Sequence, residues 1–440
     1  MNNWVRLAVA ATALVSLGGC GVFKGNGKHT PVVGERRPIL ASENEIVADK
    51  TLTGIDVLLP PAAANDGWGQ PGGNAAKSMG HLALGASLSR VWDTSIPGGS
   101  KQVRLAASPV VADNKLYVMD TVGSVHAFAA DTGASLWTVS TVKDKENKQA
   151  RFGGGASVEA GKVYAGNGLG DVVALDAGTG AEIWRTRPGG PLRGSPSIDN
   201  GQVYVVTQDN QLFALDQNDG KVVWTISASL EAQGVFGVAA PASAQGTVVA
   251  GFSSGELNAY RYENGRSLWG DVLSRSSIST SVSSLSDIDA EPVIDQGRVY
   301  AVGQGGRMVA MEITSGTRLW EQNIAGIATP WIAGEWLFVV TDDARLLCIA
   351  RGSGKVRWIA QMTHYRNEKK KSGVIGWTGP LLAGDRLVLV NTDGEIVSVS
   401  AKDGSVISTV ETKGPLSLSP VVVNSMLYVL DDKGKLSAYR

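Results

Sequence analysis

Cysteine is nearly missing from this chain. Only Cys20 and Cys348 occur in 440 residues, and Cys20 ends an N-terminal apolar segment, so a disulfide-stapled scaffold is not expected. Histidine is scarce too: His29, His81, His126 and His364 stand apart, with no pair at metal-ligand spacing. Neither sign of charge is in excess, with 40 Lys+Arg against 41 Asp+Glu and a net charge of −1. No basic run is dense enough to neutralise a row of phosphates, which argues against nucleic acid as a ligand. Long apolar runs are also lacking. Residues 7–17 (LAVAATALVSL) are too few to cross a bilayer, and no later stretch approaches the roughly 20 residues a spanning helix needs.

What the chain has in abundance is glycine, 55 residues of 440, nearly twice the roughly 7% of an average protein. With 43% hydrophobic residues a large core is available, and wholesale disorder is excluded. Glycine spread through an apolar, β-branched chain means many tight turns. The turns recur with a period. Trp92, Trp137, Trp184, Trp224, Trp269, Trp320 and Trp358 are separated by 45, 47, 40, 45, 51 and 38 residues. Prolines recur at Pro109, Pro196, Pro241, Pro292, Pro330, Pro380 and Pro420, each followed eight residues later by Tyr117, Tyr204, Val249, Tyr300, Phe338, Val388 or Tyr428. One copy has Ala156 for its proline, and another has Ser408 where the tryptophan belongs.

Each copy reads as four short strands. Alternating runs such as LYVM and VYVV are half-buried strands. The glycines between them (Gly123, Gly170 and Gly255 in one turn; Gly133, Gly180 and Gly220 in the next) supply left-handed turn conformations. Four strands per roughly 45 residues, repeated, is the pattern of a β-propeller. The expected fold is all-β, an eight-bladed propeller of four-stranded antiparallel blades over residues 85–440. The last copy stops after its third strand, and Leu88-Ser89-Arg90-Val91-Trp92 has no three strands before it. Pairing the two pieces completes the eighth blade and removes the ring's open edge.

The N-terminus carries a separate message. Arg6, the short apolar run and then Leu17-Gly18-Gly19-Cys20 resemble a bacterial lipobox. That implies a signal peptide over residues 1–19 and a lipidated Cys20, with Gly21 in place of the Asp of an inner-membrane retention signal. Residues 20–84 read as an irregular tether, in which Trp68-Gly69-Gln70-Pro71-Gly72-Gly73-Asn74 could cap the folded body.

The Trp-terminated phrase resembles the repeat of quinoprotein (PQQ-type) propellers, a likeness that marks fold more than function. A pyrroloquinoline quinone dehydrogenase, the alternative reading, resembles this chain in repeat only. Such an enzyme carries a calcium-holding carboxylate and usually an adjacent Cys-Cys pair. Here Cys348 stands alone at a repeat slot otherwise filled by alanine, so it reads as a small core residue. Gly251-Phe252-Ser253-Ser254-Gly255 fits the nucleophile-elbow pattern but lies in register with the hairpin turns of other copies. No catalytic set is visible, and no cofactor or metal is expected.

A lipid-anchored propeller without a cofactor set resembles the BamB family, lipoprotein subunits of the machinery that inserts β-barrel proteins into the bacterial outer membrane. The local match is Leu285-Ser286-Asp287-Ile288-Asp289-Ala290-Glu291-Pro292. By that resemblance Asp287 and Asp289 contact the periplasmic domains of BamA, the barrel-forming subunit. As loop carboxylates outside the strands they are expected to cost the fold little. The plainer alternative is that they cap the loop before Pro292. The family also carries a Leu-x-Leu-Arg stretch in the preceding interblade loop. This chain has Leu230 there without the Arg, so Leu230 is the carry-over. The resemblance further implies unfolded barrel precursors as possible partners and the periplasmic side of the outer membrane as the location. The basic tip of residues 365–371 (YRNEKKK) and the mixed run at 143–151 read as solvated loops.

Overall fold

The structure, a computed structural model, describes residues 46–440 apart from 101–102, 144–146, 148–152, 231–239 and 274–286. Cys20 and residues 1–19, where a signal peptide is expected, lie outside the described residues. Eight four-stranded antiparallel sheets form the blades, as the repeat implied. Blade 1 spans residues 110–140, blade 2 154–186, blade 3 197–227, blade 4 242–272, blade 5 293–322, blade 6 331–361 and blade 7 377–411. Blade 8 is composite: Val421–Val423, Met426–Leu430 and Lys435–Tyr439 are completed by Arg90–Ser95. That last pairing runs antiparallel from Arg90 opposite Tyr439 to Ser95 opposite Lys435, so the ring closes as expected.

The periodic residues explain how blades adhere. Each repeat tryptophan donates its indole N–H to a carbonyl of the next blade. Trp92 bonds to Ala130 (3.1 Å), Trp224 to Tyr262 (2.7 Å), Trp269 to Ile313 (2.7 Å) and Trp358 to Ala401 (3.0 Å). The repeat tyrosine reinforces this. Tyr117 donates its hydroxyl to Ala177 O, the same oxygen that accepts from Trp137. The indole also sets the turn residue. At Gly133 (φ 70°) a Cβ would stand 2.5 Å from the Trp92 ring, and at Gly220 (φ 73°) 2.5 Å from that of Trp184. Glycine is thus required twice over, by φ and by the neighbour's ring.

Blade 7 breaks the pattern, with Val388 and Ser408 in the two aromatic positions. Ser408 is exposed, and a cavity of about 400 Å³ lies in the seam with blade 8, lined among others by Leu88, Val410, Val429 and Tyr439. Cys348 is fully buried at its alanine slot, and burial pushes its thiol pKa far up, as a core residue should behave. Ser253 sits in the hairpin turn between Thr247–Gly251 and Glu256–Arg261, its hydroxyl donating to Asn210 Oδ1 at 2.8 Å.

Residues 46–84 are largely irregular, and they belong to the same compact unit as the ring. Trp68, Lys77, His81 and Leu82 are buried in it. The absence of a hydrophobic period in this stretch concealed that it packs as part of the body.

Candidate partner-binding site

In each blade the chain arrives from the previous outer strand, crosses one face of the ring, and enters the innermost strand. The candidate residues lie on two such crossings. Asp287 and Asp289 precede the innermost strand Val293–Asp295 of blade 5. The crossing is pinned by its backbone: Ile288 N donates to Phe252 O (3.2 Å) in blade 4, and Gln304 N donates to Asp287 O (2.9 Å) in blade 5. Ile288 is fully buried beneath, against Gly251, where a Cβ would meet it at 2.4 Å. With the apolar side chain pointing in, both acidic neighbours are fixed beside the ring's interior.

Their burial corrects the expectation of inexpensive surface carboxylates. Asp287 is 1% exposed and Asp289 5%. Both are held by one guanidinium nitrogen: Arg193 Nη2 donates to Asp287 Oδ1 at 2.7 Å and to Asp289 Oδ1 at 3.0 Å. Arg193 belongs to the crossing that leads into the innermost strand Ser197–Asp199 of blade 3, its own N–H bonded to Val206 O. The cluster thus ties blade 3 to blade 5 past blade 4.

The charges do not balance locally. Burial, and then the field of Asp287, raise the Asp289 pKa to about 7, and Arg193 offsets this only in part. Asp342, on a blade 6 turn, adds a smaller push in the same direction, and burial raises its own pKa. Two atoms of the cluster are buried without a hydrogen-bond partner, Arg193 Nη1 and Asp289 Oδ2, and the Ser195 hydroxyl nearby in sequence is a third. A donor and an acceptor left unmatched inside a protein cost about 1–3 kcal/mol each and call for an explanation.

Leu230 is not part of this cluster. It lies on the crossing from blade 3 to blade 4 with its side chain 76% exposed, next to Ser229, which donates N–H and hydroxyl to Glu256. Arg193 was missed. Its signal was Leu192-Arg193 in Pro191-Leu192-Arg193-Gly194-Ser195, a Leu-Arg dipeptide one crossing before the loop where the arginine was sought. The basic tip is the turn of a short hairpin, Tyr365–Asn367 with Ser372–Val374, and Lys369 and Lys370 are exposed. Most of residues 143–151 lies outside the described residues. No group of three or more metal-ligating side chains occurs among the described residues.

Several comparisons bear on identity. The solved BamB of Moraxella catarrhalis superposes with a TM-score of 0.67 at 21% identity, covering 80% of this chain and all of that one. The quinohemoprotein alcohol dehydrogenase of Comamonas testosteroni gives 0.66 at 16% identity, over 86% of this chain and 81% of that one. These two likenesses establish the propeller and do not choose between binding and catalysis. Sequence is more discriminating. The outer membrane protein assembly factor BamB of Salmonella typhimurium is 28% identical over 354 residues, 79% of this chain and 88% of that protein. The family model described as outer membrane protein assembly factor BamB matches residues 121–360 and 362–440, which span the second half of blade 1 to the C-terminal strand of blade 8. With most of the ring matched to that model, this chain belongs to the BamB family.

Proposed function

We propose that this protein is a non-enzymatic scaffold of outer-membrane β-barrel assembly, anchored through lipid on Cys20 after removal of residues 1–19 and facing the periplasm. The family match over nearly the whole ring carries this reading. The partner is the BamA-like barrel-forming subunit, with unfolded barrel precursors as a second class. Its site is the face bearing the crossings into blades 3 to 5.

The buried cluster supports a specific role there. Arg193, Asp287 and Asp289 hold two crossings in one shape beneath the surface that a partner would meet. A pre-ordered site loses less freedom on binding than a loose loop. Leu230 supplies an exposed apolar contact on the crossing between them.

The test is crosslinking in native membranes with the captured protein identified by mass. Capture of the barrel-forming subunit from positions flanking Leu230, abolished by Asp289→Asn, is the expected result. Capture unchanged by that substitution would place the site elsewhere. Quinone-dependent dye reduction by the purified protein would overturn the non-enzymatic reading. Cys20→Ser is expected to release the protein into the soluble periplasm, because a lipid-modified cysteine supplies the acyl chains that stable anchoring requires.

A further inference from the structure

A four-stranded blade has no fifth strand on its channel side, so each innermost strand presents an unpaired edge to the centre of the ring. Here those edges are occupied. Residues 65–84 make one lap of the ring and meet the blades in order. In blade 8, Asn424 N donates to Asn65 O (2.9 Å) and Asn65 Nδ2 to Val422 O (2.7 Å). In blade 1, Trp68 and Val111 exchange two backbone bonds of 2.7 and 2.8 Å. Val158 of blade 2 donates to Gly69 O, and the Gln70 side chain takes both backbone groups of Ile198 in blade 3 (2.9 and 3.0 Å). Ser243 of blade 4 donates to Ala75 O and Ile294 of blade 5 to Ala76 O. In blade 6 the Trp331 indole donates to Gly80 O, and in blade 7 Leu82 bonds with Leu382 and Gly384. Leu84 then bridges to Ser425, back in blade 8.

The register is regular. In every blade but the sixth, a contacted residue lies two places beyond the repeat's proline position, within the innermost strand. The segment is also shaped for this path. At Gly73 (φ 92°) a Cβ would stand 2.5 Å from the Met79 side chain, and at Gly69 2.7 Å from Val158 O. Lys77 is 2% exposed, donates to Ser197 Oγ at 3.0 Å, and lies in the field of the buried Glu291.

We propose that the channel edges of this propeller form a binding site for an extended peptide, and that its ligand is the chain's own residues 65–84, bound in cis. The ligand class is an extended, glycine-bearing segment with one internal cation, read through hydrogen bonds to every blade, most of them main-chain. Occupation in cis leaves the face with the crossings into blades 3 to 5 for other proteins.

The experiment uses the full chain with a protease recognition sequence inserted between Ala86 and Ser87, in an exposed stretch. After cleavage of the folded protein, the N-terminal fragment is expected to co-elute with the ring under native conditions. Adding a synthetic peptide of residues 65–84 in excess should displace it slowly. Separation of the fragments at once on cleavage would overturn the proposal. A second measurement needs no cleavage: hydrogen exchange at the Val111, Val158, Ser243 and Ile294 amides, compared between wild type and Gly73→Val. Exchange at least tenfold faster at those amides, with the inner blade amides unchanged, is expected. Equal exchange in the two proteins would also overturn it.

Discussion

Two buried ionic centres sit near the axis of this ring, and they are built differently. Lys77 hydrogen-bonds Ser197, whose hydroxyl passes on a bond of 2.6 Å to Pro241 O, and its charge faces Glu291. Lys77 Nζ and Ser197 Oγ each have a hydrogen-bond partner. Arg193, Asp287 and Asp289 form direct ion pairs but leave Nη1 and Oδ2 unmatched. The first centre belongs to the segment bound along the channel edges. The second lies where a partner is proposed. They differ in how completely their polar atoms are matched, and an unmatched buried pair is a cost in stability that the fold carries at the second centre.

The sharpest way to break this contrast is Arg193→Met. It strands two carboxylates in the interior, and losing one side of a buried pair costs on the order of 3–5 kcal/mol. Urea unfolding should show that loss, and more of it at pH 8 than at pH 5.5, where Asp289 is protonated. A loss below about 1 kcal/mol would mean the cluster is not load-sharing. Charge reversal of Asp287 and Asp289 is expected to unfold the protein for the same reason, so it cannot report on binding.

Asp289→Asn is gentler, since the amide oxygen can still accept from Arg193. At pH 5.5, where Asp289 is itself protonated, melting should change little, while affinity for the barrel-forming subunit falls at least about tenfold, about 1.4 kcal/mol. Titration by surface-immobilised binding would check it.

The two centres should also separate on the pH axis. Asp289 has its folded pKa raised to about 7 from 3.8. Its contribution to stability is complete below the unfolded value and is lost as pH rises toward the folded one. Lys77 is shifted the opposite way, because burial lowers its pKa from the ordinary 10.5. Its contribution is complete above the ordinary lysine value and is lost as pH falls through the depressed folded one. A stability–pH curve should therefore decline from acid toward neutral in wild type but flatten in Asp289→Asn. The alkaline rise should vanish in Lys77→Met. The smallest effect belongs to the control: Lys369→Glu with Lys370→Glu, at an exposed hairpin turn, should stay within about 0.5 kcal/mol of wild type and bind normally.

The ring was legible because seven of its eight seams repeat one piece of chemistry. An indole N–H needs a carbonyl on the next blade, and the glycine opposite needs room for that indole, so tryptophan and glycine had to recur together. The candidate site was half legible. Asp287 and Asp289 were found from a local string, but their burial was not, since a loop carboxylate becomes an interior one only through a residue 94 positions away. The lap of residues 65–84 was invisible for a different reason. Its bonds are mostly main-chain and its side chains have no period, so only Trp68 stood out.

Closure by the two ends of the chain governs how the molecule comes into being. Arg90–Ser95 must wait for Lys435–Tyr439, and seven blades are made between them. Non-local pairing of this kind is slow, although the entropy of closing a long loop grows only logarithmically with its length. Until the last strand arrives, the first has an open edge, and an open edge invites pairing with other chains. A protein proposed to help others fold into closed barrels thus passes through the same hazard itself, and its period of exposure ends only when its own circle closes.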